Sequence, residues 1–193
     1  MADFKDAFEL TLAREGGYVK DPDDRGGETY KGIARRYNPG WPGWVRIDKA
    51  RTQRGFPKTL NADQALQAEV AVFYRSHYWD KFQGDRVPVQ SIANELFDTA
   101  VNLGVARTVE FFQRALNVLN RDGALYDDLV TDGVFGPKSL AALRAYLKKD
   151  KPDYLLKILN ILQGMHYIEF MTRSPLQEKF ARGWLNRVTI DKT

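Results

Sequence analysis

The sequence contains no cysteine, which excludes a disulfide framework and any thiolate metal site. Its two histidines, His77 and His166, stand too far apart for a zinc motif, so neither a metal nor another cofactor is expected. No run approaches the roughly 20 apolar residues of a membrane span. There is no glycine loop of the Walker or dinucleotide type, and nothing resembles the nucleophile elbow of a serine hydrolase. The first twenty residues interleave acids and bases with apolar groups, which is not the pattern of a secretory signal. The expectation is a protein made in the cytoplasm that reaches any outside target only if something else releases it.

What is present is an ordinary globular composition, 44% hydrophobic and 28% charged over 193 residues, enough for one sizeable core or two small ones. The formal charge of +4 favours an anionic partner without choosing among nucleic acid, acidic lipid and acidic wall polymer, and it equally fits a mildly basic protein with no charged partner. No helix concentrates the basic residues, so a nucleic-acid partner is not expected.

The fold class read from periodicity is mainly α, with at most a small β-hairpin around residues 18–30. Asp3 is placed to cap a first helix whose apolar positions Phe4, Phe8 and Leu12 recur every four residues, with Gly16-Gly17 ending it. A short helix is expected from Thr29 to Tyr37, then an irregular stretch from NPGWPGW (38–44) through Pro57. Asn61 and Gln64 resemble a capping box opening a helix to about Tyr78. Further helices are expected at about 89–103, closed by Gly104, and at about 106–120, 138–148, 153–172 and 176–187. The turn-rich segment 121–139 divides the chain into an expected 1–120 domain and a 121–193 helical segment packed on it.

Glu15 sets the chemical question. At 100° per residue it falls inside the roughly 80° arc spanned by Phe4, Phe8 and Leu12, on the apolar face and in the last helical turn. Partial desolvation and the negative end of the helix dipole both raise a carboxyl pKa there, which suits a general acid. The alternative is a glutamate fraying outward at a helix end. Asp24 follows nine positions on and Thr29 fourteen on, across a loop of aspartates and glycines. A glycosidase needs a protonated carboxyl on one side of the scissile bond and a carboxylate or held water on the other. Asp24 fits the second role, with Asp21 and Asp23 as competitors or turn formers. Thr29 either holds water with Asp24 or caps the next helix.

The run EGGYVKDPDDRGGETYKGI (15–33) closely resembles the signature of the glycoside hydrolase family 108 muramidases, a lysozyme-like family found in phage endolysins and bacterial genomes, some labelled putative secretion activators. The resemblance implies a lysozyme-like helical fold and Glu15 as catalytic acid. The order Glu, Asp, Thr also looks like that of phage-type lysozymes, although four residues separate Asp24 from Thr29, one fewer than in that pattern. It extends through ELFDTAVNLG (95–104) into DGVFGPKS (132–139), which is similar to a turn of peptidoglycan-binding modules and otherwise reads as a helix-initiating turn. The implied activity is hydrolysis of the β-1,4 bond between N-acetylmuramic acid and N-acetylglucosamine, with peptidoglycan glycan strands as partner. A holin or similar route is the implied release, a monomer the favoured state, and a non-catalytic wall-binding or secretion-assisting protein the alternative.

Substrate-binding candidates are Tyr18, Tyr30, Trp41 and Trp44, whose rings suit the C–H faces of sugars, with loop anchoring as the other reading of the tryptophans. Asp98 and Asn102, from the Asn94, Asp98, Asn102 stripe, are supporting candidates; partial exposure, or satisfying neighbouring backbone in the core, is their alternative. Arg35-Arg36 could steer an anionic polymer, and Tyr74, His77, Tyr78 and Trp79 read as core.

Overall fold

The computed structural model describes residues 1–12, 17–20 and 27–188. Glu15 and the loop acids Asp21, Asp23 and Asp24 lie outside the described residues. Among those described, the protein is mainly α, with eight α-helices, short 3-10 turns and one three-stranded antiparallel sheet. They group into two compact units, Lys5–His77 in one, Met1–Phe4 with the chain from Tyr78 onward in the other.

The sheet belongs to the first unit. After α1 (Phe4–Leu12), β1 (Tyr18–Lys20) pairs with β2 (Glu28–Tyr30), placing Tyr18 opposite Tyr30 and Lys20 opposite Glu28. β2 then pairs with β3 (Ile33–Ala34) across the two-residue turn Lys31-Gly32. Both turn residues have positive φ, 44° and 78°, the requirement of a type I′ hairpin. That conformation breaks the helix expected from Thr29 to Tyr37, so the small hairpin becomes a three-stranded sheet.

The stretch expected to be irregular through Pro57 contains α2 (Gly43–Ala50). Its first residue has to be glycine, because a Cβ there would lie 2.2 Å from the Trp41 indole. A 3-10 turn (Lys58–Ala62) leads into α3 (Gln64–His77). The cap of α3 is Asp63, whose Oδ1 accepts from the Leu66 N–H at 3.0 Å, and not Asn61. Ile33, Trp44, Ile47, Leu60, Leu66, Val70 and Tyr74 are buried, giving this unit its core. Tyr74 ties α3 to the sheet turn by donating to the Lys31 carbonyl at 2.7 Å.

The second unit is built on α4 (Gln90–Leu103), α5 (Val105–Asn117), α6 (Pro137–Leu147), α7 (Pro152–Arg173) and α8 (Ala181–Leu185). Gly104 closes α4, and prolines occupy the first positions of α6 and α7, where a missing N–H removes no helical bond. The last expected helix, 176–187, is instead a 3-10 segment (Pro175–Phe180) followed by the short α8. Trp79, fully buried, sets its ring edge-on to Phe4, Phe82 and Phe97 at 5.4–5.9 Å. The DGVFGPKS turn docks on α5: the buried Gln113 amide donates to Asp132 at 2.7 Å and to the Val134 carbonyl, and accepts from the Gly133 N–H. Phe135 of the same turn stacks on Phe112 at 5.4 Å. No described helix is long and apolar enough to cross a membrane.

Candidate active site

Thr29 occupies the middle of β2, paired with Val19 on one side and Ala34 on the other. Its chain neighbours are both held. Side chains alternate along a strand, so Glu28 and Tyr30 share the face opposite to that of Thr29.

Glu28 is gripped from three directions. Its side chain is only 9% exposed, and its carboxylate takes Arg35 Nη1 on Oε2 at 3.0 Å and Arg51 Nη2 on Oε1. The Tyr18 hydroxyl hydrogen-bonds the same group. Arg35 also forks onto Asp48, with Nη1 and Nη2 at 2.8 and 2.5 Å from its two oxygens, and lies 5.1 Å from the centre of the Trp44 ring. The Arg35 backbone N–H donates to the Glu28 carbonyl at 2.8 Å. Burial pushes the Glu28 carboxyl up, but the bonds from Arg51, Arg35 and Tyr18 outweigh it and hold the pKa below its ordinary value. Burial first, then the bond to Glu28, raises the Tyr18 phenol.

The aromatic candidates divide by exposure. Tyr18 is half-buried, its ring edge-on to Phe56 at 4.9 Å. Tyr30 is 1% exposed, and its hydroxyl accepts from Gln67 Nε2 at 2.9 Å. Trp44 is 2% exposed and donates to the Asn38 carbonyl at 2.8 Å. The faces of Tyr30 and Trp44 are covered by protein, which leaves no room for a sugar and gives both rings an anchoring role. Trp41 is 8% exposed, edge-on to Trp44, and borders a groove of about 610 Å³ shared with Tyr37, Val72, Phe73 and His77. His77 is itself exposed, stacked on Phe73 at 4.0 Å, rather than core.

Asp98 and Asn102 belong to the second unit. Asp98 accepts from Arg187 at 2.8 Å in an ion pair whose side chains are 13% and 14% exposed. Asn102 donates to the Tyr167 hydroxyl, and Tyr167 stacks on Trp184 of α8 at 5.5 Å. Burial pushes the Tyr167 phenol up to about 12. Asn94, the third member of the stripe, accepts from Gln90 at 2.8 Å. Glu28, Asp48 and Arg51 were not singled out in the sequence, where only the i,i+3 spacing of Asp48 and Arg51 links any of them. Among the described residues no cluster of three or more His, Asp or Glu is arranged to hold a metal ion.

The profile of the family described as Glycosyl hydrolase 108 matches residues 8–104, half of the sequence. The chain belongs to the glycosyl hydrolase 108 family. That match includes both Glu15 and the sheet around Thr29. Residues 107–189 match a second profile, described as Predicted Peptidoglycan domain, so this family member joins a glycoside hydrolase segment to a peptidoglycan-recognising one. Among solved structures, the chain is similar to SagA of Brucella abortus, with 26% identity and a TM-score of 0.59 over 96% of this chain and 88% of that one. The mainly α, lysozyme-like architecture accords with these relationships. No curated protein matches the sequence closely enough to count as a relative.

Proposed function

We propose that this glycosyl hydrolase 108 protein is an N-acetylmuramidase that cuts the β-1,4 bond between N-acetylmuramic acid and N-acetylglucosamine in peptidoglycan. The observation that supports this most is the adjacency of the two profile matches, the first spanning Glu15, Asp24 and Thr29 and the second a peptidoglycan domain. In this reading Glu15 protonates the glycosidic oxygen as the bond to the anomeric carbon breaks. Asp24 either stabilises the oxocarbenium-like transition state or, with Thr29, holds the attacking water. Carboxyl groups about 5 Å apart imply retention of configuration, and about 6.5–9.5 Å inversion. Tyr18, half-buried, and Trp41, which borders the groove, are the proposed sugar contacts; Tyr30 and Trp44 support them from within the unit.

The test is digestion of purified peptidoglycan with the wild type and with Glu15→Gln, followed by mass spectrometry of the released ends. New reducing muramic acid ends from the wild type, reduced at least roughly 100-fold in the variant, are the expected outcome for loss of a general acid. Equal cutting by the variant removes Glu15 from the mechanism. Reducing N-acetylglucosamine ends would make the protein a glucosaminidase, and free peptide termini an amidase or peptidase. Binding of the wild type to peptidoglycan without any new ends would favour a wall-binding protein that retains the fold.

A further inference from the structure

The charged cluster behind β2 is more elaborate than a three-residue strand requires. Glu28 and Asp48 supply two negative charges and Arg35 and Arg51 two positive ones, so the cluster is close to neutral. Desolvating such groups is costly, and a well-packed apolar cluster of the same volume commonly stabilises a fold as well or better. What charged hydrogen bonds provide instead is direction. A three-residue strand paired with strands of three and two residues has weak register of its own. Here Arg35 holds Glu28 twice, by its backbone N–H on the carbonyl and by its guanidinium on the carboxylate. Arg51, the residue that ends α2, takes the other carboxylate oxygen, and Asp48 on α2 fixes Arg35 in turn. One residue farther along the same strand face, Tyr30 is tied to Gln67 of α3. Both chain neighbours of Thr29 are thus anchored to helices, while Thr29 projects from the other face.

We infer that Glu28 is a positioning residue for the hydrolytic reaction: through Arg35 and Arg51 it fixes the register of β2 and so the place and orientation of the Thr29 hydroxyl. This rests on the reading that Thr29 belongs to the catalytic set. Glu28 touches no reacting atom. Its contribution is geometric, and it is expressed only when the hydroxyl it places is there to act.

That dependence gives a test that a purely structural role would not satisfy. Wild type, Glu28→Gln, Thr29→Ala and the double variant are assayed on soluble peptidoglycan fragments, with kcat and KM resolved and folding checked by circular dichroism. Misplacing a reacting group by about 1 Å costs on the order of 100-fold in rate. Glu28→Gln is therefore expected to lower kcat roughly 10- to 100-fold, with KM changed less than about twofold. In the Thr29→Ala background the same substitution is expected to cost less than about twofold, since coupled residues do not add. Should Glu28→Gln fold poorly, Arg51→Lys takes its place: it keeps the charge, loses the guanidinium bond from Nη2 to the Glu28 carboxylate, and is expected to show the same cycle with a smaller loss. Equal losses with and without Thr29, or full activity of both Glu28→Gln and Arg51→Lys, would overturn the inference. A wild type that releases no reducing muramic acid ends would instead strike at the muramidase reading, and a Thr29→Ala variant as active as wild type at the place of Thr29 in the catalytic set; the positioning role would fall with either.

Discussion

Glu28 also carries a pH signature at the scale of one residue. Its carboxyl pKa in the folded protein lies below the ordinary 4.5 because bonds from the arginines and Tyr18 overcome the effect of burial. A depressed folded-state pKa means the ionised form is preferred in the native protein. The resulting stability is complete above about pH 5 and is lost as pH falls through 4.5 towards the folded value. Thermal melts of wild type are thus expected to drop on acidification through that window. Asp48 and Asp132, whose carboxyls are also held low by hydrogen bonds, add to the same slope. The informative quantity is the difference between proteins: Glu28→Gln should melt lower than wild type at pH 7, and the gap should narrow by pH 3. A gap of constant size across that range would mean that the charge on Glu28 contributes nothing to the fold. None of this was legible in the sequence. Glu28 meets partners seven and twenty-three residues away, one of them at the end of a helix that the run of glycines and prolines concealed.

At the scale of elements, the sequence was most readable where local and tertiary preferences agree. Gly104 after α4 and the prolines opening α6 and α7 end or start helices for reasons internal to the chain, and each stands at the boundary its residue type implies. The failures have tertiary causes. α2 begins at a glycine because the Trp41 indole fills the space of a side chain, so a residue that reads as a breaker is there to admit a ring. The Asn94, Asp98, Asn102 stripe was visible as a polar line on an apolar helix, but the partners of Asp98 and Asn102 lie far along the chain. Arg187 faces Asp98 and Tyr167 faces Asn102, which ties α4 to the carboxyl-terminal helices. Asp98→Asn removes the charge facing a mostly enclosed guanidinium. The expected cost is about 1.5–3 kcal/mol, the range for a hydrogen bond to a charged group. At roughly 2–4 °C per kcal/mol for a protein of this size, the melting temperature should fall by about 3–12 °C. The KM for peptidoglycan fragments should stay within about twofold of wild type, because Asp98 is engaged by the protein itself. A raised KM with an unchanged melting temperature would return Asp98 to the substrate.

At the scale of the whole molecule, the family matches and the packing divide the chain differently. The hydrolase profile ends at residue 104 and the peptidoglycan profile starts at 107, whereas the second compact unit takes in α4 together with everything after it. The sequence reading placed its boundary at the turn-rich segment 121–139, a signal of local composition that carries no information about which helices share a core. α4 contributes Ile92, Leu96 and Phe97 to that core, each no more than 1% exposed, and packs on both α5 and α7. Burying three such side chains is worth roughly 5–9 kcal/mol at about 1.5–3 kcal/mol each, comparable with the whole stability of a typical domain, about 5–15 kcal/mol. A fragment starting at residue 107 would therefore present the bare faces of α5 and α7 to water. It is expected to bind 8-anilinonaphthalene sulfonate and to melt without a cooperative transition. A fragment starting at residue 78 keeps α4 and is expected to melt cooperatively, at a lower temperature than the full chain because Phe4 no longer packs against Trp79 and Phe97. Cooperative unfolding of the 107 fragment would mean that the recognition segment folds without α4; loss of cooperativity in both would mean that the first unit is required to fold the second.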